Sequence, residues 1–171
     1  MTRTRARLRD AEFVEFAQAS SIRLQQAAYL MCRDWHLAQD LTQATLTKVY
    51  LAWGRINRTG GDRYAYARTV LLRQLLDFQR LRRSSEIAVE TLPEHPASAT
   101  EPTTRLTLLD ALSLLSPRDR AVVVLRYWED QSVETTAEAL GISASAVRTQ
   151  SVRALSLLRT HLQPHRDILL P

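Results

Sequence analysis

The sequence predicts an all-α protein of two small helical domains, and three observations predict this fold class. Its 171 residues suit one large domain or two small ones. Only four glycines occur, which disfavours sheets and phosphate-cradling loops, whereas helix-favouring Leu, Ala, Arg, Gln and Glu dominate. The segment 84–104, SSEIAVETLPEHPASATEPTT, contains three prolines and has the composition of a flexible linker between the two domains.

The first domain, predicted over 11–83, shows three helical patterns. Apolar residues at spacings of three and four mark one helix face over 13–31. A second helix is predicted over about 36–53 and a third over about 64–83. Between them, 54–63 (GRINRTGGDR) predicts a loop because it holds two adjacent glycines. The predicted core of the second and third helices consists of Leu37, Leu41, Ala44, Leu46, Val49, Tyr50, Val70, Leu71, Leu75, Phe78 and Leu81.

The second domain, predicted over 105–163, begins with an amphipathic helix over 105–115. A new helix starts at SPRDR, with Ser116 as N-cap and Pro117 at the first helical position, and continues to Trp128. These local signals predict two consecutive helices before the segment 133–162.

A helix-turn-helix follows. The short helix 133–140 ends at Gly141, which suits a left-handed turn residue, and Ser143 caps a long helix over 144–162. Such a turn sets two helices at a steep angle, so that the second fits the major groove of DNA. The outward side chains of that helix are able to hydrogen-bond guanine, adenine or phosphate and to contact a thymine methyl; they are Arg148, Thr149, Gln150 and Arg153.

Charge is distributed unevenly along the chain, whose net charge is +5. Residues 55–83 hold eight arginines against two aspartates, and 139–166 hold arginines but no acid. Between these basic blocks, 84–104 carries four glutamates and no Lys or Arg. This pattern predicts two contacts with a polyanion. The arginine-rich segment 1–10 is predicted to be a disordered basic tail, and 164–171 a C-terminal tail.

Several functional classes find no support in the sequence. Cys32 is the only cysteine, which excludes an internal disulfide and leaves little for a zinc site. The four histidines are scattered and form no catalytic or metal-binding motif; Trp35 and Trp128 are expected in the core. No stretch predicts a secretion signal or a membrane span. We therefore expect a cytoplasmic protein that is not an enzyme, has no cofactor or metal and does not insert into membranes.

The chain resembles a known family in two places. Residues 115–159, LSPRDRAVVVLRYWEDQSVETTAEALGISASAVRTQSVRALSLLR, resemble region 4 of bacterial sigma factors, and 36–53, HLAQDLTQATLTKVYLAW, resemble region 2.2. Their spacing is similar to that of the extracytoplasmic-function (group 4) sigma factors of the sigma-70 superfamily, in particular the SigE-type actinobacterial subset. The resemblance covers about 12–162.

This resemblance implies a promoter-specificity subunit of RNA polymerase with a region 2 helix bundle and a region 4 helix-turn-helix. Its implied partners are core RNA polymerase (the β′ clamp helices and the β flap), promoter DNA and an anti-sigma factor. The resemblance places core-polymerase binding at Asp40, Leu41, Gln43 and Thr47. It places −10 DNA binding at Trp53, Tyr64, Tyr66, Arg68, Arg73, Arg80, Arg82 and Arg83. Packing in the core of the helix bundle remains an alternative for the three aromatic residues. It places −35 DNA binding at Ser145, Arg148, Thr149, Gln150 and Arg153.

Two other functions remain open from the sequence. The helix-turn-helix also fits a stand-alone, LuxR-like transcription regulator, because such regulators share the pattern of 115–143. A helical RNA-binding or interaction module would explain the charge but not the ordered motif at 36–53. Co-elution with core polymerase separates a polymerase subunit from a regulator.

Overall fold

A computed structural model describes residues 2–84 and 102–165, with side chains over 7–82 and 107–164. The described residues are helical and contain no strand, which confirms the all-α prediction. The helices are α1 (Thr2–Cys32), α2 (Trp35–Thr59), α3 (Arg63–Ser84), α4 (Pro102–Ser113), α5 (Pro117–Val123), α6 (Val133–Leu140) and α7 (Ala144–Leu162). A π-helical turn, Val124–Trp128, extends α5, and a 3₁₀ turn, Gln163–His165, follows α7. None of the described helices is long and apolar enough to cross a membrane.

The chain divides into two compact units. One is built from α1 to α3, and the other takes in α4 to α7 together with residues 30–33. Most of the predicted linker, 85–101, lies outside the described residues, as does 166–171 of the predicted tail.

The core of the first unit is formed by the facing sides of α1, α2 and α3. Asp34 caps α2 by accepting a hydrogen bond from the Leu37 amide at 2.9 Å. The buried side chains of α2 are Ala38, Leu41, Thr42, Thr45, Val49, Trp53 and Ile56. Those of α3 include Ala67, Leu71, Leu72 and Leu75. A hydrogen bond from Gln74 Nε2 to the buried Thr45 Oγ1, at 2.7 Å, joins the two helices.

The predicted loop over 54–63 is mostly wrong, because α2 continues to Thr59. Ile56 is buried and extends the apolar face of α2 by one more turn, while Gly54 sits on the exposed side, where a helical glycine is tolerated. The helix ends at Gly60, whose φ of 64° is the left-handed conformation that glycine adopts without strain. Asp62 then caps α3 by accepting from the Tyr64 amide at 2.8 Å.

Two predicted core residues of this unit are exposed. Ala44 is exposed because it sits opposite the buried face of α2. Leu81 is exposed near the end of α3. Five other predicted core residues are only half-buried, namely Leu37, Leu46, Tyr50, Val70 and Phe78. Helical periodicity identified the apolar stripe but not its edges.

Helix α1 also begins earlier than predicted. It starts at Thr2, so the predicted disordered tail over 1–10 is helical from that residue onward. Polar contacts join the helix to α2: Tyr50 Oη donates to Asp10 Oδ1 at 2.9 Å, and Asn57 Nδ2 donates to Glu12 Oε2 at 3.2 Å. The Arg9 guanidinium hydrogen-bonds to Tyr50, which raises the pKa of that arginine.

In the second unit the predicted caps are confirmed. Ser116 accepts from the Asp119 amide at 3.1 Å, with Pro117 at the first helical position. The core packs α4, α5 and α7 together through Ala111, Leu112, Leu115, Val123, Ala154 and Leu158. The Arg120 guanidinium donates to the carbonyls of Leu112 and Leu115, at 2.9 and 3.0 Å, which satisfies orphan groups at the end of α4. Burial lowers the pKa of Arg120 to about 10, so it remains charged at neutral pH.

Trp128, predicted to lie in the core, is exposed. The π-helical turn adds one residue to the last turn of the helix, as shown by the bond from the Glu129 amide to the Val124 carbonyl at 2.9 Å. This extra residue shifts the helical phase, so that Glu129 is buried while Tyr127 and Trp128 face outward.

Candidate nucleic-acid and partner interfaces

The packing of the helix-turn-helix determines which side of α7 is exposed to solvent. Gly141, with φ of 63°, turns the chain after α6, and Ser143 caps α7 by accepting from the Ala146 amide at 3.1 Å. The inner side of α7 is buried through Val147, Ser151, Ala154 and Leu158. The opposite side is exposed; we call Ser145, Arg148 and Thr149 on it the reading face.

The reading face combines hydroxyl groups with one guanidinium. The Arg148 side chain is 61% exposed, and its Nη2 donates to Glu134 Oε1 at 3.1 Å. Ser145 Oγ lies 3.1 Å from Ser143 Oγ, beside the cap. Hydroxyl and guanidinium groups on the outer side of a helix supply the donors and acceptors that reach base edges and phosphates.

The remaining two predicted −35 residues are placed differently. The Arg153 Nη2 lies 2.7 Å from both carboxylate oxygens of Asp119, whose side chain is only 7% exposed. Its guanidinium therefore binds α5, although the Arg153 side chain is 60% exposed. Gln150 is half-buried, and its buried Oε1 accepts no hydrogen bond within the described part of the chain. Arg153 lines one groove together with Arg148 and Thr149 of the reading face.

In the first unit, α3 carries the predicted arginines. Arg73, Arg80 and Arg82 are exposed, and Arg68 is half-buried beside the Tyr64 ring. Arg80 also lies 3.7 Å from Asp77 on the same helix. The Arg83 side chain lies outside the described residues. The exposed arginines give this helix a basic surface suited to phosphate.

The three aromatics predicted for −10 binding occupy different surroundings. Tyr66 is half-buried, and its hydroxyl accepts from Arg55 Nη2 at 3.0 Å. A groove of about 420 Å³ brings Arg55, Tyr66 and Arg73 together. Tyr64 is half-buried, with the Arg23 guanidinium 4.6 Å from its ring centre. An aromatic ring between arginines is suited to base stacking and phosphate contact together.

Trp53 is not available for that role. Its side chain is 0% exposed and packs against Phe13 and Phe16, with ring centres 5.3 and 5.1 Å away. The Arg63 guanidinium lies 4.9 Å from the centre of the indole ring. The indole forms part of the core, so in this structure it is not exposed for contact with DNA.

The exposed side of α2 forms a second surface. Asp40, Gln43 and Thr47 are exposed on it, and Ala44 lies among them. Leu51, which sequence reasoning missed, continues the same face and is 79% exposed; its spacing of eleven residues from Asp40 was the signal available. We call these five residues the α2 outer face. An exposed leucine beside an acid and an amide is suited to a protein partner.

Leu41 does not belong to the α2 outer face. It is only 8% exposed and lies at the edge of the buried stripe, so its predicted contact with a partner is not available in this structure. The α2 outer face therefore retains three of the four residues predicted for polymerase binding.

No group of three or more His, Cys, Asp or Glu side chains is placed to hold a metal ion within residues 7–82 and 107–164.

Two family models match the chain. Residues 16–85 match sigma-70 region 2, and residues 105–158 match sigma-70 region 4. The chain is 40% identical over 154 residues to the RNA polymerase sigma-E factor of Streptomyces coelicolor, covering 88% of this chain and 86% of that protein. It is 37% identical over 160 residues to the sigma-E factor of Streptomyces avermitilis, covering 92% and 88%.

Solved structures show a similar fold. The sigma factor RpoE from Bartonella quintana, crystallised with the anti-sigma factor NepR, matches with a TM-score of 0.72 and 23% identity, covering 89% of this chain and 97% of that one. CnrH, solved with the cytosolic domain of CnrY, matches with a TM-score of 0.61 and 21% identity, covering 91% and 90%.

Proposed function

The chain belongs to the extracytoplasmic-function group of sigma-70 RNA polymerase sigma factors, and we propose that it joins core polymerase through its first unit and selects promoters through both units. The observation that carries this proposal is the presence of region 2 and region 4, in that order, in two compact units with different exposed surfaces. A stand-alone regulator is not favoured, because the helix-turn-helix alone would not account for region 2 at 16–85.

The α2 outer face is the proposed contact with the β′ clamp helices. Its carboxylate and amide, at Asp40 and Gln43, are able to bond arginine or backbone groups of a partner helix, and Leu51 supplies apolar area. The β flap is the proposed partner of the second unit.

The groove at Arg55, Tyr66 and Arg73 is the proposed −10 contact. Aromatic stacking on an unpaired base contributes about 1–3 kcal/mol and is tolerant of sequence. Arg80 and Arg82, exposed along α3, would hold phosphates and so set position rather than sequence. Melting of the promoter duplex would begin at the base that leaves its stack most easily.

The reading face of α7 is the proposed −35 contact. Ser145 and Thr149 would bond phosphate or base edges, and Arg148 would read guanine. The protein would act in the cytoplasm with the polymerase, as a specificity subunit and not as an enzyme. An anti-sigma factor is a further proposed partner, supported by the complexes in which RpoE and CnrH were solved.

The test combines gel filtration with run-off transcription. The purified chain is mixed with core RNA polymerase, and the co-eluting complex is supplied with a promoter library. We expect co-elution and transcripts from a restricted set of promoters. DNA binding without co-elution would support the stand-alone regulator instead.

The variant Arg148→Ala is expected to weaken binding of the holoenzyme to its preferred −35 sequence by about 1–3 kcal/mol, roughly 5- to 150-fold. The reason is the loss of a fork of donors that bonds guanine O6 and N7. The measurement is a comparison of dissociation constants for duplexes that differ at one −35 base pair. Discrimination at that base pair should disappear.

An equal loss on every duplex would show that Arg148 holds phosphate only. The control variant is Arg159→Ala, which removes an exposed arginine from the end of the same helix. It should leave discrimination at that base pair unchanged.

A further inference from the structure

Glu134 places a carboxylate beside the reading face. Its Oε1 accepts from Arg148 Nη2 at 3.1 Å, and the two side chains are 70% and 61% exposed. The two residues come from different helices of the helix-turn-helix, α6 and α7. An acid thus contacts the arginine proposed to read a base, on a surface where phosphates would approach.

The local fold tolerates an acid here but does not require one. Glu134 lies in the first turn of α6, where the helix dipole favours negative charge. The orphan amide of Thr135 is already satisfied by Ser132 Oγ at 3.0 Å. A neutral glutamine at this exposed position would leave the cap and the packing intact.

The pairing leaves Arg148 able to read a base. A guanidinium carries five N–H donors in one plane, and Glu134 Oε1 engages only Nη2. The other donors remain available for the O6 and N7 acceptors of guanine. While the ion pair is formed, it limits the rotamers that the arginine samples. Because an exposed ion pair is weak, DNA is able to compete for the same guanidinium.

Phosphate and guanine respond differently to the carboxylate. A phosphate bound at Arg148 would also approach the negative charge of Glu134, which repels it. The edge of guanine carries no net charge, so its acceptors are repelled less strongly than a phosphate. The pair therefore disfavours phosphate-only contacts, which supply nearly all of nonspecific DNA binding.

We propose that Glu134 is a specificity-determining residue, which orients Arg148 toward a guanine and suppresses nonspecific binding through the phosphate backbone. The inference rests on the proposed role of α7 in −35 recognition. It assigns a function to an acidic residue of α6, outside the helix that reads the bases.

The test uses the complete chain assembled with core polymerase. One duplex is selected by this holoenzyme from a library randomised at the −35 element, and a second duplex has the same bases in scrambled order. Dissociation constants for both are measured over a series of salt concentrations for the original chain, Glu134→Gln and Glu138→Gln. Glu138 is the matched control, because it is an exposed acid one turn later on α6.

Glu134→Gln is expected to bind the scrambled duplex about two- to fivefold more tightly, the scale of an exposed ion pair. Its preference for the selected duplex should fall by at least that factor. The slope of log K against log salt on the scrambled duplex should become steeper by about 0.9, the value for one more phosphate contact. Glu138→Gln should change both duplexes equally and preserve the preference.

Identical behaviour of the two variants would overturn the inference while leaving the proposed function intact. Glu134 would then only stabilise the start of α6, which a lower melting temperature of Glu134→Gln alone would show. If the library yielded no duplex that the original holoenzyme prefers over its scrambled form, the proposed function would fail, and this inference with it.

Discussion

The variant Asp40→Arg is expected to abolish assembly with core RNA polymerase while leaving the helical fold unchanged. Asp40 is exposed on the α2 outer face, away from the buried stripe of that helix. A substitution at such a position changes the free energy of unfolding by about 0.5 kcal/mol or less. At an interface with a basic partner helix, a like charge costs several kcal/mol. Gel filtration with core polymerase measures assembly, and circular dichroism measures the fold.

The matched control is Glu15→Arg, which makes the same change of charge at an exposed residue of α1 in the same unit. It should co-elute with core polymerase as the original chain does. Promoter-dependent transcription that survives Asp40→Arg would contradict the placement of the polymerase contact on the α2 outer face.

Features encoded within a few residues could be predicted from the sequence. The caps at Ser116 and Ser143 and the turn at Gly141 are where the sequence places them. A cap needs only a side-chain oxygen two or three residues before the amide that it accepts from, so neighbouring residues decide it. The order of the helices and the exposed reading face follow from the same local signals.

Features that depend on residues distant in sequence could not be predicted. The ion pair of Arg153 is one such feature, because its partner Asp119 is 34 residues away in the chain and no local pattern indicates it. Trp53 borders a glycine-containing segment, which suggested an open loop, yet Phe13 and Phe16 of α1 enclose it. The outward turn of Trp128 depends on a π-helical turn that leaves no periodic signal. Periodicity shows that a helix has a buried side but not which distant element covers it.

Arg153→Ala is expected to destabilise the second unit by about 2–3 kcal/mol. Breaking an ion pair that is buried on both sides costs about 3–5 kcal/mol, because one charge is left without compensation. Asp119 is nearly inaccessible, with a side chain 7% exposed, but that of Arg153 is 60% exposed, so water relieves part of the cost. Urea unfolding of the full chain, followed by circular dichroism, measures the change. The control Arg159→Ala, at an exposed position of the same helix, should stay within about 0.5 kcal/mol.

The double variant Asp119→Asn with Arg153→Gln separates the two possible roles of this arginine. If Arg153 positions α7 through Asp119, the double variant should recover most of the stability lost in Arg153→Ala, because no buried charge remains unpaired. Holoenzyme carrying it should also retain the base preference of the original chain, since Arg148 still presents its guanidinium. Near-normal stability of Arg153→Ala together with lost discrimination at one −35 base pair would instead make Arg153 a reader of DNA. Its contact with Asp119 would then be one that DNA displaces.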